Sequence, residues 1–328
     1  AYYLYRLQKP GVDPLGPENH LGFFTGLLTG TPGITSNRYV VVAKSPKTGT
    51  WGDANSGGGF GPAMKWAGFD GVIVKGAASK PVYLWINDDQ VEIRDAADLW
   101  GLDNWQTLEK LQEVTGDRKV RVTSIGPAGE KLIPFACLQN DLEHFNGRTG
   151  MGAIMGSKML KAIAVRGTGK LSFGDPDKVK EIGKWHRERI KEHPPNIGLS
   201  KFGTPVLMEG VNASGFLPTR NFKEGQFEGA DKLSAGPYHE TIYHSRGTCW
   251  SCSVACKRRV ELDDPDYPLE SPVGTSGRAG HEPFGCFQTM GSLWIEYGQQ
   301  AEPVCYRREL DLSTGVARVM YTANGQAV

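Results

Sequence analysis

The sequence has no apolar run long enough to cross a membrane and no pattern typical of a secretory leader. Its formal net charge of +1 gives no reason to expect nucleic acid or a membrane surface as a partner. Cysteine is scarce, with 6 in 328 residues, which does not suit the disulfide framework of a small secreted protein. These absences favour a cytoplasmic protein of about two domains. The opening AYYLYRL lacks a methionine, so we expect the natural start to lie upstream.

Three of the cysteines stand together in the run CWSCSVAC, as Cys249, Cys252 and Cys256. Thiolates at this spacing can reach one metal centre without closing a large loop, and soft sulfur ligands favour zinc or an iron–sulfur cluster. Zinc usually requires a second pair of ligands, and none stands nearby. The spacing therefore favours a cluster, with zinc or a set of free or disulfide-bonded thiols as alternatives. Cys137, within KLIPFACLQ, is predicted to be a small buried apolar residue.

Three glycine-rich segments punctuate the first half of the chain, at residues 29–38, 54–61 and 146–156. Glycine lets backbone N–H groups point at an anion and lets a ligand approach the chain closely. Two of the segments carry an arginine, Arg38 and Arg148, which could fork a phosphate. The alternative interpretation is that all three are tight turns in a β-rich domain.

The apolar pattern predicts an α+β fold. Residues 1–172 are strand-rich, and residues 173–328 are predicted to begin a mainly α-helical domain that carries the cysteines, with an irregular tail after about residue 266. Within the first domain, a hairpin turns at Asn87–Asp89. The second domain opens with a cap and proline at Asp175-Pro176, and a further helix begins near Thr204 and ends within 212–215.

One amphipathic helix is predicted in detail. Its apolar residues recur at three- to four-residue spacing from Leu102 to Val114. Either Asp103 or Asn104 could cap its start, and Gly116 could end it.

Several longer motifs occur in one order along residues 1 to about 265: VDPLGPEN, TGTPGITSNRYVVVAKSPKTG, ANSGGGFGPAMKWAGFDGVIVKG, SIGPAGE, NGRTGMGAIMGSKMLKAIAV and CWSCSVAC. In these motifs the chain resembles the aldehyde ferredoxin oxidoreductase family, whose enzymes use a tungsten, rarely molybdenum, bis-pterin and one [4Fe–4S] cluster. The resemblance implies a first domain of two related β-sheets that forms a base for the pterin, followed by a helical domain. A magnesium ion bridging the pterin phosphates is a further expectation, and the sequence leaves tungsten and molybdenum open.

The resemblance also implies which residues contact the cofactor. Matching the family motifs, the pterin contacts are Arg38, Asn55, Gly57, Gly147 and Arg148. Arg38 matches the family arginine between pterin and cluster.

One position departs from the family pattern. Where the family often has an arginine in a HRAAGR-like segment, this chain has His144 in EHFNGR. His144 is therefore interpreted either as a cofactor contact or as a surface-loop histidine.

Beyond the first domain the resemblance implies that Cys249, Cys252 and Cys256 are three cluster ligands, with a fourth further downstream than this chain extends. After about residue 266 the resemblance decays. Glu282, in GHEPFGC, is the one catalytic candidate there. Within CYRRELDLSTG, Leu310 and Asp311 match a pair that touches pterin, although residues 309–321 also read as a plain β-hairpin turning at 313–315.

By resemblance, the intact protein is expected to oxidise an aldehyde to a carboxylate and to pass single electrons through the cluster to ferredoxin. Alternatives are an aromatic acyl-CoA reductase subunit of the same tungsten type, and an inactive fragment that only binds cofactor and cluster. Family members are often dimers, so a homodimer is left open. The basic run 257–259 could help to dock an acidic ferredoxin or could be a solvated face.

Overall fold

The structure is a computed structural model that describes residues 2–261 and, beyond them, only the backbone of the strands 273–275, 305–311, 316–323 and 326–327. Residues 1–288 form one compact unit and residues 289–328 form another. Within the described residues no helix is both long and apolar enough to cross a membrane.

The first unit carries its helices and strands in a mixed order. The strands are β1 (Leu21–Thr25), β2 (Tyr39–Lys44), β3 (Trp51–Ser56), β4 (Gly71–Val74), β5 (Val82–Asn87), β6 (Gln90–Asp95), β7 (Arg121–Ser124), β8 (Leu138–Asn140), β9 (His144–Asn146), β10 (Leu160–Arg166), β11 (Tyr243–Gly247), β12 (Lys257–Glu261) and β13 (Val273–Thr275). The α-helices are α1 (Tyr2–Leu7), α2 (Phe60–Trp66), α3 (Asn104–Thr115), α4 (Pro127–Glu130), α5 (Met151–Ser157), α6 (Pro176–Arg189), α7 (Pro194–Phe202), α8 (Met208–Ala213) and α9 (Ala235–Thr241). Short 3-10 turns occupy Ala97–Leu99, Thr204–Leu207 and Ala230–Leu233.

Two sheets build the strand-rich half, as the family resemblance implies. The first is antiparallel, in the order β3-β2-β1-β4. The second has the order β6-β5-β10-β7-β8-β9, and only β5 and β10 run parallel. Because β10 lies at the centre of the second sheet, it is buried on both faces and is apolar along most of its length.

The main core lies between the two sheets. Phe23, Tyr39 and Val41 of the first sheet face Ile163 and Val165 of β10 across the helices α2 and α5. A second core on the far face of the second sheet packs the helix α3 against β5, β7 and β10. Both cores are built from side chains at most 8% exposed, so the sheets form a rigid base for the loops at their ends.

The predicted local signals of this half are present in the structure. Asp103 caps α3 through a capping box with Gln106, and Gly116 ends the helix in the left-handed region at φ 67°. The hairpin of β5 and β6 turns at Asp88, whose φ is 50°. The strands β3 and β9 of this half were not predicted, and each overlaps a glycine-rich segment.

The chain after residue 173 is helical up to α9. Asp175 accepts a hydrogen bond from the Lys178 backbone N–H and Pro176 opens α6, as predicted. The helix expected from Thr204 is a 3-10 turn followed by α8, and α7 before it was not predicted. The cysteine run itself lies on the loop between the antiparallel strands β11 and β12, so its immediate surroundings are a hairpin rather than a helix. The domain boundary near residue 173 stays a prediction.

The second unit is described only by its backbone strands, which are β14 (Cys305–Asp311), β15 (Val316–Ala323) and β16 (Gln326–Ala327). The strands β14 and β15 pair antiparallel, with Asp311 opposite Val316. This pairing agrees with the alternative interpretation of residues 309–321 as a plain hairpin, whose turn lies outside the described residues.

Candidate metal centre

The three cysteines of the motif lie on one short loop, residues 248–256, which we call the cysteine loop. It joins β11 to β12, and the pairing of Gly247 with Lys257 closes its base. The Thr248 hydroxyl donates to the carbonyls of Cys249 and Cys252 at 3.0 and 2.9 Å, and the Cys252 N–H donates to the Cys249 carbonyl at 3.2 Å. The loop is therefore folded by its own hydrogen bonds.

Two residues of the cysteine loop have strained backbones. Ser251 has φ 52° and Ala255 has φ 49°, in the left-handed region that non-glycine residues rarely adopt. Each such residue costs about 1 to 3 kcal/mol and persists only where its surroundings enforce it, most often at functional sites. The strain therefore indicates that the cysteine loop is a candidate functional segment and not only a turn between two strands.

The cysteine loop packs against the glycine segment 57–59 that follows β3. The Trp250 carbonyl accepts a hydrogen bond from Asn37 Nδ2 at 3.0 Å, and the Trp250 N–H donates to the Gly58 carbonyl at 3.4 Å. The Trp250 ring also meets the Trp66 ring edge-on, with centroids 5.0 Å apart. These contacts attach the cysteine loop to the strand-rich half of the chain.

Cys249 is the cysteine that reaches furthest into this contact. Its Sγ lies 3.0 Å from His144 Nε2. A Cβ built on Gly57 would lie only 2.7 Å from the same sulfur and 3.0 Å from Asn37 Oδ1. Gly57 is thus required by close approach, because any side chain there would displace Cys249.

The electrostatic surroundings of Cys249 are positive. Burial raises the pKa of the Cys249 thiol, and Lys257 opposes that shift. Burial also lowers the pKa of His144 to about 3, assisted by the charges of Lys257, Arg38 and Arg121. Three cations within electrostatic reach of one buried side chain favour an anionic group at this place.

A largely buried carboxyl, that of Asp141, also lies beside the glycine segment. Asp141 Oδ2 accepts a hydrogen bond from the Gly59 N–H, and its other oxygen lies 3.6 Å from Arg121. Burial raises the pKa of Asp141 while Arg121 opposes the shift. Sequence reasoning missed Asp141 and Asn37, since nothing in their spacing marks them.

The predicted pterin contacts lie along β3 and beside its neighbouring strands β2 and β9. Asn55 is an exposed residue of β3 opposite Val40 of β2, so Arg38 and Gly57 lie at adjoining ends of the two strands. Gly147 and Arg148 are exposed and follow β9, which is held to β3 because Asn146 donates to the Ala54 carbonyl at 2.8 Å. Their role as pterin contacts stays a prediction.

His144 is not a surface-loop residue, which was one of its two interpretations. It lies on β9 with only 5% of its surface exposed. Its role as a pterin contact stays a prediction.

The remaining site predictions divide into two groups. Glu282 lies outside the described residues, as do the side chains of Leu310 and Asp311, so their roles stay predictions. Cys137 is a free, partly buried cysteine just before β8, and burial raises its pKa to about 11.

The third glycine-rich segment owes its later glycines to close packing, and Gly152 and Gly156 are two examples. A Cβ on Gly152 would lie 2.5 Å from the Cys137 carbonyl oxygen, and one on Gly156 would lie 2.0 Å from that of Gly129. These two glycines let α5 approach α4 and the chain before β8. Only the start of this segment, at Gly147 and Arg148, is exposed for binding.

The cysteine loop supplies the donor set for the cluster that the motif implies. Among the residues that the structure describes, no three His, Cys, Asp or Glu side chains converge on one metal position. Cys249, Cys252 and Cys256 are all free and partly buried. Three free thiols on one short loop, a glycine cradle at Gly57 and nearby cations fit a sulfur-ligated anionic group.

Comparison with known families agrees with this geometry. Residues 1–167, about half of the chain, match the family model for the N-terminal domain of aldehyde ferredoxin oxidoreductase. The chain belongs to the aldehyde ferredoxin oxidoreductase family. Residues 181–293 match the model for domains 2 and 3 of the same family. Residues 269–328 match the model for the N-terminal domain of glycosyl hydrolase family 65, and Leu310 and Asp311 fall within that match alone.

Curated relatives of this family include proteins of Pyrococcus and Thermococcus. A tungsten-containing aldehyde ferredoxin oxidoreductase of Pyrococcus abyssi is 45% identical over 282 residues, which are 84% of this chain and 46% of that protein. The corresponding protein of Thermococcus kodakarensis is 43% identical over 273 residues, 81% of this chain and 45% of that protein. The chain thus spans about half the length of these relatives.

More distant relatives carry other names. The WOR-like subunit of an aliphatic sulfonate oxidoreductase of Pyrococcus furiosus is 32% identical over 312 residues, 87% of this chain and 48% of that protein. Among solved structures, the BamBC active site complex of benzoyl coenzyme A reductase, in complex with 1,5-dienoyl-CoA, superimposes with a TM-score of 0.70. It is 29% identical and matches 84% of this chain and 43% of that one.

Proposed function

We propose that this chain forms the cofactor base and three-cysteine cluster segment of a tungsten-pterin oxidoreductase that oxidises aldehydes to carboxylates. The overall reaction is RCHO + H₂O → RCOO⁻ + 3H⁺ + 2e⁻, which requires a two-electron acceptor, a source of oxygen and an exit for single electrons. The observation that carries the proposal is the contact of Cys249 with Gly57 and His144, at the edge of the predicted pterin surface.

Each part of the chain contributes a definite task. The exposed guanidinium groups of Arg38 and Arg148 would bind the anionic pterin phosphates, and Asn55 would orient the ring system. Cys249, Cys252 and Cys256 would hold a [4Fe–4S] cluster, with a further ligand from elsewhere. When bound, the tungsten pterin supplies two-electron chemistry and oxygen transfer, and the cluster supplies one-electron transfer. Two further parts complete this proposal. A magnesium ion would bridge the pterin phosphates, and ferredoxin would accept the electrons.

The names of the relatives support an aldehyde as substrate. A second candidate, reduction of an aromatic acyl-CoA thioester, is favoured by the superposition on the benzoyl coenzyme A reductase complex. A third is a fragment that binds cofactor and cluster without turnover. Aldehyde-dependent dye reduction supports the first, acyl-CoA reduction the second, and bound metals without either activity the third.

Metal analysis and electron paramagnetic resonance of the anaerobically produced chain test the cluster site directly. We expect iron and a reducible cluster signal, together with tungsten or molybdenum. The variant Cys252→Ser should lose the cluster signal, because it removes one of three ligands. Cys137→Ser is the matched control, since this cysteine lies outside the cysteine loop, and it should keep the signal. Zinc without iron in the unmodified chain would overturn the proposal.

A further inference from the structure

His144 is held against the cysteine loop by the second sheet. It opens β9, the edge strand, and pairs with Asn140 of β8. Its Nε2 lies 3.0 Å from Cys249 Sγ, and its Cδ2 lies 3.6 Å from where a Cβ on Gly57 would be. The imidazole therefore fills the space between a strand of the first domain and the first cysteine of the motif.

The opposite edge of the ring, at Nδ1, also lies close to the glycine segment. A Cβ built on Gly58, whose φ is +97°, would lie 3.1 Å from His144 Nδ1 and 2.4 Å from Asn140 Oδ1. Asp141 Oδ2 lies 3.0 Å from the same point. The glycine segment 57–59 therefore lies beside both Cδ2 and Nδ1 of the imidazole.

The chemistry of the contact fixes its direction once a cluster is bound. A cysteine that ligates iron is a thiolate, which can only accept a hydrogen bond. Nε2 must then carry the hydrogen and donate it to Sγ, because two lone pairs at 3.0 Å would repel. A buried N–H···S⁻ bond in a low dielectric is stronger than the same bond in water.

Hydrogen bonds to ligand sulfur withdraw charge from the thiolate and stabilise the reduced, more negative cluster. Building on the proposed function, we propose that His144 donates a hydrogen bond from Nε2 to Cys249 and thereby raises the reduction potential of the cluster. His144 is a positioning residue in this role: it touches a cluster ligand rather than the cluster's iron. Lys257, within electrostatic reach of both His144 and Cys249, acts in the same direction.

The test is a redox titration, followed by electron paramagnetic resonance, of the cluster in the anaerobically purified chain. His144→Leu removes the donor while keeping an apolar side chain in the space, and we expect a midpoint potential below that of the unmodified chain. His144→Gln keeps an N–H donor, and we expect it to restore part of the shift. His244→Leu is the matched control because this histidine is exposed and bonds Glu261 instead, and its potential should be unchanged.

Three outcomes would overturn the inference. One is an unchanged potential in His144→Leu with iron retained. A second is strong coupling of the cluster to a ¹⁵N-labelled histidine in the unmodified chain, since this would make His144 an iron ligand. This measurement does not depend on whether His144→Leu folds. Weak coupling of the cluster to the ¹⁵N label, together with a deuterium-exchangeable proton signal that shifts in His144→Gln, supports the hydrogen bond. Absence of iron from the unmodified chain would overturn the proposed function and this inference together, which distinguishes it from the first two.

Discussion

Arg258 shows how much one side chain can contribute to holding the cysteine loop in place. Although it lies in a basic run, it is only 1% exposed. Its guanidinium donates to the carbonyls of Leu199 and Ser200 in the last turn of α7, and to those of Ala255 and Lys257 beside the cysteines. A cation at a helix C-terminus satisfies carbonyls that the helix itself cannot. Arg258 therefore joins α7 to the end of the cysteine loop. It is neither a residue that docks an acidic ferredoxin nor part of a solvated basic face.

Arg258→Met should lower the free energy of unfolding by about 3 kcal/mol, because it removes hydrogen bonds from a buried guanidinium to four partly buried carbonyls. The measurement is anaerobic urea unfolding of the iron-loaded chain. Arg259→Met is the matched control on the same strand, since its side chain is 47% exposed and makes one ion pair with Glu143. An exposed pair of this kind contributes roughly 0 to 1 kcal/mol. Equal losses in the two variants would contradict the role given to Arg258.

The sequence alone could identify residues by type and spacing, but not by burial. Cys249, Cys252 and Cys256 were found because three thiols in eight residues form a pattern. The sequence allows two interpretations of His144, because its proximity to Cys249 depends on a contact between residues 105 positions apart. The sequence does not distinguish Arg258 from its basic neighbours, because a run of basic residues has the same pattern whether or not a strand buries one of them.

At the scale of elements, α5 and α4 pack unusually closely. Gly156 of α5 faces the backbone of Gly129 in α4, and a Cβ on Gly156 would lie 2.0 Å from the Gly129 carbonyl oxygen. Helix α5 also contributes Ile154 and Met155 to the main core. Separating the two helices would therefore disturb the base beneath the predicted pterin surface.

Gly156→Ala should destabilise the chain by about 1 to 3 kcal/mol, because the added methyl group must push two backbones apart. The measurement is the midpoint of thermal or urea unfolding. Gly210→Ala in α8 is the matched control, since a Cβ there meets no atom within 4 Å. Alanine favours a helix over glycine by up to about 1 kcal/mol, so the control should be neutral or stabilised. Stabilisation by both substitutions would refute the close packing.

Elements with strong local signals were predictable, and those that depend on distant partners were not. Asp103 and Gly116 set the ends of α3 through capping chemistry that is visible in a few residues, and the central strand β10 is apolar along most of its length. The strand β3 alternates buried and exposed residues but contains Asp53 and Asn55, which are unfavourable in strands. Its pairing with β2 overrides that preference, so tertiary context decided an element that propensity could not.

At the scale of the whole first unit, the candidate site joins parts of the chain that are far apart in sequence. Asn37 holds the Trp250 carbonyl across 213 residues, and His144 meets Cys249 across 105. These contacts connect the cysteine loop to both sheets. A metal centre bound by that loop is thus coupled to the stability of the segment 57–59 and not only to its own hairpin.

Removing iron from the loaded chain should therefore loosen a defined region. A ligand that binds only the folded state stabilises it, by about 4 kcal/mol when its concentration is a thousand times its dissociation constant. Hydrogen exchange before and after anaerobic chelation should show lost amide protection in the cysteine loop and at Gly57–Gly59. Helix α3 is the internal control, because it packs on the far face of the second sheet. The amides of α3 should keep their protection. The Cys252→Ser variant, with no chelator added, should show the same amide protection pattern as the chelated chain. Uniform loss across α3 and the cysteine loop would mean that the metal stabilises the fold globally, and the proposed local coupling would be wrong.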